Sequence, residues 1–127
     1  FIDHATTAFF RFHIDNPGFV RLVLREVIAG PQRLAAFAGQ ENLNLPKNMG
    51  RVAETVGRLQ VAGEIRDDVP PLHVMMTVMG SLGSSMMQTH VYTTLTGEDF
   101  DEFLEARRDA IKKILTQGLK PKEKGPS

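Results

Sequence analysis

From Val69 to Gly97 the chain runs for 29 residues without one Lys, Arg, Asp or Glu, although 24% of the whole sequence is charged. A helix that turns one face to water carries charged and polar residues on that face. A segment without them must be covered by protein over most of its surface. Five of the six methionines lie in it, Met75, Met76, Met79, Met86 and Met87, and thioether side chains adapt readily in shape. The segment is therefore where a partner or a ligand is to be sought. A membrane span needs about 20 predominantly apolar residues. Leu72 to Val91 instead mixes its Leu, Val and Met with Gly, Ser, Thr, His and Gln, so insertion into a membrane is not expected.

On a helical wheel, Leu72, Met75, Met76, Met79, Leu82, Met86 and Met87 gather on one broad side. Thr77, Gly80, Ser81, Ser84 and Gln88 recur at i, i+3, i+4 on the other. The second side is small and uncharged, and small residues let another backbone approach closely. The expectation is that the methionine side faces the interior of the subunit and the Gly/Ser side faces a second copy of the same helix.

The remaining segments read as helices with clear punctuation. Ile2, Ala5, Phe9 and Phe12 follow a helical apolar period from the first residues, with no capping residue ahead of them. This predicts a chain cut within or just before a helix. Asn16 as N-cap and Pro17 at the first helical position open a second helix, which carries Phe19, Val20, Leu22, Val23, Leu24, Val27 and Ile28 to Gly30. Gly30 suits a left-handed helix end, and Pro31 starts a short third helix that stops near Gly39. Asn42 to Pro46 reads as loop, and a fourth helix covers about 46 to 62, ending at Gly63. Asp67 or Asp68 would cap the long uncharged fifth helix, with Pro70 and Pro71 in its first turn. Asp99 with Glu102 forms a capping-box pattern for the sixth, which ends at Gly118. No run alternates as a strand would, so the fold class is all-α with six helices. Residues 1–119 make one domain, and the polar stretch 120–127, KPKEKGPS, is expected to be a disordered, solvated tail.

Composition excludes several functions. The chain of 127 residues supports one core. Net charge is zero without a basic patch, so direct nucleic-acid binding has no electrostatic support. No cysteine is present, hence no disulfide and no thiolate nucleophile or metal ligand, which fits a cytoplasmic setting. His4, His13, His73 and His90 include no i, i+4 pair, so no metal site of that kind is expected. Ser81, Ser84 and Ser85 lack the strand-to-helix turn that exposes a nucleophilic serine. Neither an enzyme nor a cofactor is expected.

The helix order, the phrase FFRFHIDNPGFVRLVLREVIAG, the turn AGEIRDDVPP before the uncharged helix, and a last amphipathic helix closing on ILTQGL together resemble the C-terminal domain of TetR-family transcriptional regulators. The resemblance covers nearly the entire chain. It implies a six-helix effector-binding domain that forms a homodimer through its last two helices. It further implies that residues 1–15 are what remains of the helix linking this domain to an N-terminal helix-turn-helix domain. That domain would lie ahead of Phe1, and operator DNA would be a partner only through it.

Two sets of residues follow as expectations. Phe9, Phe12, Phe19, Val23, Val56, Leu59, Met75 and Met79 would line a pocket for a mostly apolar small effector, with His13, Arg25 and Glu26 orienting it. The same residues at helical spacing also fit a plain core, and Arg21 with Arg25 also fits a solvated face. Thr77, Gly80, Ser81, Ser84, Gln88, Arg107, Ile111 and Ile114 would form the dimer interface. Arg107 falls within the stripe Phe103, Ala110, Ile111, Ile114, where burial demands a partner such as Ser84, Gln88 or His90 of the other subunit; the alternative is that it extends outward along the stripe. A free-standing helical dimer that binds a ligand or a protein, without a DNA role, is the competing reading of function.

Overall fold

A computed structural model describes residues 1–40 and 45–122, apart from the side chains of residues 19, 20, 23, 34, 37, 38, 45 and 46. Six helices follow one another: α1 (Ile2–Asp15), α2 (Pro17–Ala29), α3 (Pro31–Gln40), α4 (Leu45–Val61), α5 (Pro71–Thr96) and α6 (Phe100–Gly118). No strand occurs among the described residues. The all-α, six-helix architecture is the one the sequence predicts. Helix α5 is the spine, with α4 and α6 packed along it; α1 lies across α5 and α6, and α2 pairs with α3.

The core shows which face of α5 is interior. Val74, Met75, Val78, Leu82, Ser85, Met86, Thr89 and Thr93 are buried, an i, i+4, i+8 arc. The methionine side is therefore not buried as a unit. Met75, Leu82 and Met86 point inward, whereas Leu72, Met76, Met79 and Met87 are exposed in the single chain. The buried arc is turned by about a quarter of the wheel from the expected one, and Ser85 and Thr89 take the places given to methionines. Their hydroxyls need no partner from another helix. Thr77, Ser81, Ser85, Thr89 and Thr93 each donate to the carbonyl four residues earlier, at 2.6–2.8 Å. A hydroxyl satisfied by its own helix can be buried at little cost.

Local signals hold at some ends and change at others. Asp99 caps α6, its Oδ1 accepting from the Glu102 N–H at 2.9 Å. Gly63 and Gly97 take φ of +76° at or after the ends of α4 and α5, a region that favours glycine. Gly30 has positive φ but lies at φ 127°, ψ 159° rather than in the left-handed helical region. Asn16 does not cap α2 with its side chain; its Nδ2 donates back to the Phe12 carbonyl at 3.0 Å and closes α1. Neither Asp67 nor Asp68 caps α5, whose N-cap is Pro70. Leu45 and Pro46 belong to α4 rather than to a loop, and residues 42–44 of that expected loop lie outside the described residues.

Salt bridges tie the periphery together. Lys112 of α6 pairs with Asp3 of α1. Glu26 of α2 accepts from Arg33 Nε of α3 at 3.0 Å. Lys122, placed by the sequence in a solvated tail, reaches Asp68 Oδ2 at 3.2 Å; residues 123–127 of that tail lie outside the described residues.

Candidate functional site

Helix α1 divides its residues between two faces. Ile2, Thr6 and Phe10 are buried at four-residue spacing. Phe1, His4, Ala5, Ala8, Phe9, Phe12 and His13 instead face a cavity of about 590 Å³. Val52 and Thr55 of α4 and Met75, Val78 and Met79 of α5 complete its walls. Among the described residues of the wall none is Asp, Glu, Lys or Arg. The size and the sparse polar groups are those of small-ligand sites.

The polar groups in the wall are His4, His13 and Thr55. Thr55 is engaged within α4: its hydroxyl donates to the Arg51 carbonyl at 3.0 Å and lies 3.1 Å from Arg58 Nη2, which donates to it. His13 Nδ1 is 2.9 Å from the Phe9 carbonyl, and its ring stacks on Phe9 with centroids 3.8 Å apart. Burial pushes the His13 pKa below its ordinary value, against the opposing pull of the Phe9 carbonyl. The neutral ring thus donates from Nδ1 to Phe9, which leaves Nε2 as an acceptor.

Of the residues expected to line a pocket, Phe9, Phe12, His13, Met75 and Met79 meet in this cavity. Val56 does not, since it is fully buried in the core, and Leu59 borders a smaller cleft beside Leu119. Val52 and Thr55, one helical turn earlier, take those places. Arg25 is exposed on α2 and is not in the cavity wall, and Glu26 is held by Arg33. The side chains of Phe19 and Val23 lie outside the described ones. Ala8, Val52 and Val78 went unnoticed because small or β-branched residues carry no ligand signature; the period of Ala5, Phe9 and Phe12 was the usable clue.

The residues expected at a dimer interface also separate. Thr77, Gly80, Ser84 and Gln88 lie on the outer face of α5, and Ser81 at its border. That face also carries exposed Met76, Met87, Val91 and Leu95. On α6, Ile114 is 66% exposed and Arg107 partly so. Ile111 is 3% exposed and belongs to the core of its own chain, so it has no surface to offer a partner. The stripe does not form one face: Ile111 turns inward with Leu104 and Leu115, while Phe103, Arg107, Ala110 and Ile114 are partly or fully exposed. His90 stacks on Phe100 at 4.5 Å and Tyr92 on Phe103 at 4.7 Å between centroids, which fixes the rotation of α6 against α5.

Among the described residues no group of His, Asp or Glu is placed to hold a metal ion, and no helix is long and apolar enough to cross a membrane. Compared with protein families, residues 2–117 match the model described as tetracyclin repressor-like, C-terminal domain. No curated protein and no solved structure gives a match. With almost its full length covered, the chain belongs to the family of tetracyclin repressor-like C-terminal domains.

Proposed function

We propose that this chain is the ligand-sensing and homodimerisation domain of a transcriptional regulator, taking a small, mostly apolar effector into the cavity between α1, α4 and α5. The observation that carries the reading is the cavity, uncharged among its described wall residues, with Phe1 and six α1 residues in its wall. An effector that fills it favours one placement of α1 against α5 over others, and an effector shifts an equilibrium only by such a difference. The family resemblance supports reading α1 as a linking helix; on that reading the same displacement would alter DNA binding by a helix-turn-helix domain joined to it. The second copy packs on the outer faces of α5 and α6. The uncharged surface of Met76, Gly80, Ser84, Met87 and Val91 on α5 and the exposed Ile114 on α6 support that placement, and an obligate interface of this kind buries roughly 2,000 Å² or more.

Native mass spectrometry of protein purified from its host tests the first half. A retained small molecule with few polar groups is the expected result, and release of the same molecule from a cavity-filling Ala8→Trp variant locates it. Sedimentation over a concentration series tests the second. A dimer at micromolar protein is expected, and a monomer there overturns the interface.

A further inference from the structure

His13 lines two cavities. Beyond it, a second space of about 300 Å³ lies between the end of α1, the start of α2 and the later turns of α5, walled by Pro17, Arg21, Leu24, Met86, Met87, His90 and Val91. The residue shared by the two walls is His13, whose ring stacks on Phe9, and the Phe9 ring itself meets α5 at Gly83, where an added Cβ would lie 3.9 Å from Cζ.

The charges of the two spaces differ in one respect. Among the described residues the first wall carries no charge, and the second carries one, Arg21. No described residue of either wall is Asp or Glu, and Arg21 makes no ion pair among the described residues. Its guanidinium is permanently charged and shaped to take both oxygens of a carboxylate. Arg21 is exposed, so an anion beside it keeps part of its hydration and escapes the full cost of burying a charge.

We infer that the effector is an amphiphilic monoanion, its apolar body in the α1–α4–α5 cavity and its carboxylate at Arg21, with His13 between them. This rests on the proposed effector site and adds the chemical class of its ligand. An exposed ion pair of this kind contributes modestly, so a carboxylate should bind about fivefold tighter than its neutral analogue.

The test is calorimetric titration of the 127-residue chain with decanoate, decan-1-ol and decyltrimethylammonium, all below their aggregation concentrations. Decanoate should bind tightest and the cation weakest. Arg21→Gln should bring the decanoate-to-decanol ratio close to one, Arg21→Lys should keep most of the preference, and Ala8→Trp should weaken both ligands. Equal affinity of decanoate and decanol for the unmodified protein overturns the inference while leaving an apolar effector site standing. Decanoate binding that survives Ala8→Trp but not Arg21→Gln also overturns it, by confining the ligand to the second space. Failure of all three ligands to bind overturns it as well, and native mass spectrometry then decides separately whether the larger site exists.

Discussion

Arg66 grips Asp68 with both arms of its guanidinium, Nε donating to Oδ1 at 2.6 Å and Nη2 to Oδ2 at 2.7 Å, while its Nη1 donates to the Gly118 carbonyl at 3.1 Å. The Arg66 backbone N–H adds a bond to the Leu119 carbonyl at 2.8 Å. The turn between α4 and α5 is thereby fastened to the end of α6. A charged fork is the stronger form of such a contact, and here it also supplies partners for carbonyls left over at a helix end.

Acid should loosen this clasp. Hydrogen bonding from Arg66 and then from Lys122 holds the Asp68 carboxyl well below its ordinary value of 3.8. A carboxyl whose pKa is lowered on folding contributes stability that is present above the unfolded value and disappears as pH falls through the folded one. Thermal melts taken below pH 4 should therefore show a steeper loss for the wild type than for Asp68→Asn, the two curves converging in strong acid. At neutral pH, Arg66→Gln should melt lower than Asp68→Asn, because it also gives up the Gly118 bond. Identical pH profiles for wild type and Asp68→Asn would contradict the assignment.

Two methionines on one helix should behave oppositely. Met75 is 4% exposed and Met79 is 43% exposed, though both border the large cavity. Met75→Ala should cost about 2–5 kcal/mol, as for other core truncations. Met79→Ala should cost under about 1 kcal/mol and weaken effector binding instead. Urea titrations of both variants, read beside ligand affinity, check the contrast. A large stability loss for Met79→Ala would mean that it is simply core.

The hydroxyl ladder of α5 predicts a near-neutral substitution deep in the core. Thr89 is fully buried, and its hydroxyl donates to the Ser85 carbonyl at 2.7 Å. That carbonyl retains its backbone N–H partner when the hydroxyl is removed, so Thr89→Val orphans nothing, and hydroxyl back-bonding slightly destabilises helices in any case. Its unfolding free energy should stay within about 0.5 kcal/mol of wild type. A loss of several times that would show that the hydroxyl has another partner.

The same ladder explains what the sequence could and could not disclose. Helix order and ends were legible because Pro17, Pro31, Gly63 and the Asp99 cap act locally, within a turn of where they stand. The buried arc of α5 was not, because residue type separates methionine from serine and threonine, whereas the fold can bury a side chain whose polar atoms are satisfied. Ser85 and Thr89 meet that condition through their own helix, which no hydropathy pattern reveals. Asp68 read as a cap for a similar reason: its real partners, Arg66 and Lys122, depend on α6 returning to the α4–α5 turn. On α4, the cavity residues lay one turn from those expected. The apolar period identifies a stripe along a helix but not which of its turns border the cavity and which pack into the core; Val52 and Thr55 meet the cavity while Val56 enters the core.

Gly80 offers a test of the proposed dimer that leaves the single chain intact. A Cβ built there finds no atom within 4 Å, so a side chain at that position leaves the helix into open space. Glycine is also a poor helix former, and replacing it with a residue of higher propensity favours the isolated helix by up to about 1 kcal/mol. Gly80→Arg should therefore fold with undiminished helical content by circular dichroism. In a dimer packed through this face, however, the same substitution sets a long charged side chain against its symmetry-related copy, where burial without a partner is costly. Sedimentation velocity should then show a monomer at concentrations where the wild type is dimeric, with Gly80→Ala falling between the two. If Gly80→Arg sediments as the wild-type dimer does, the second copy does not dock on this face of α5, and the uncharged surface must serve some other contact.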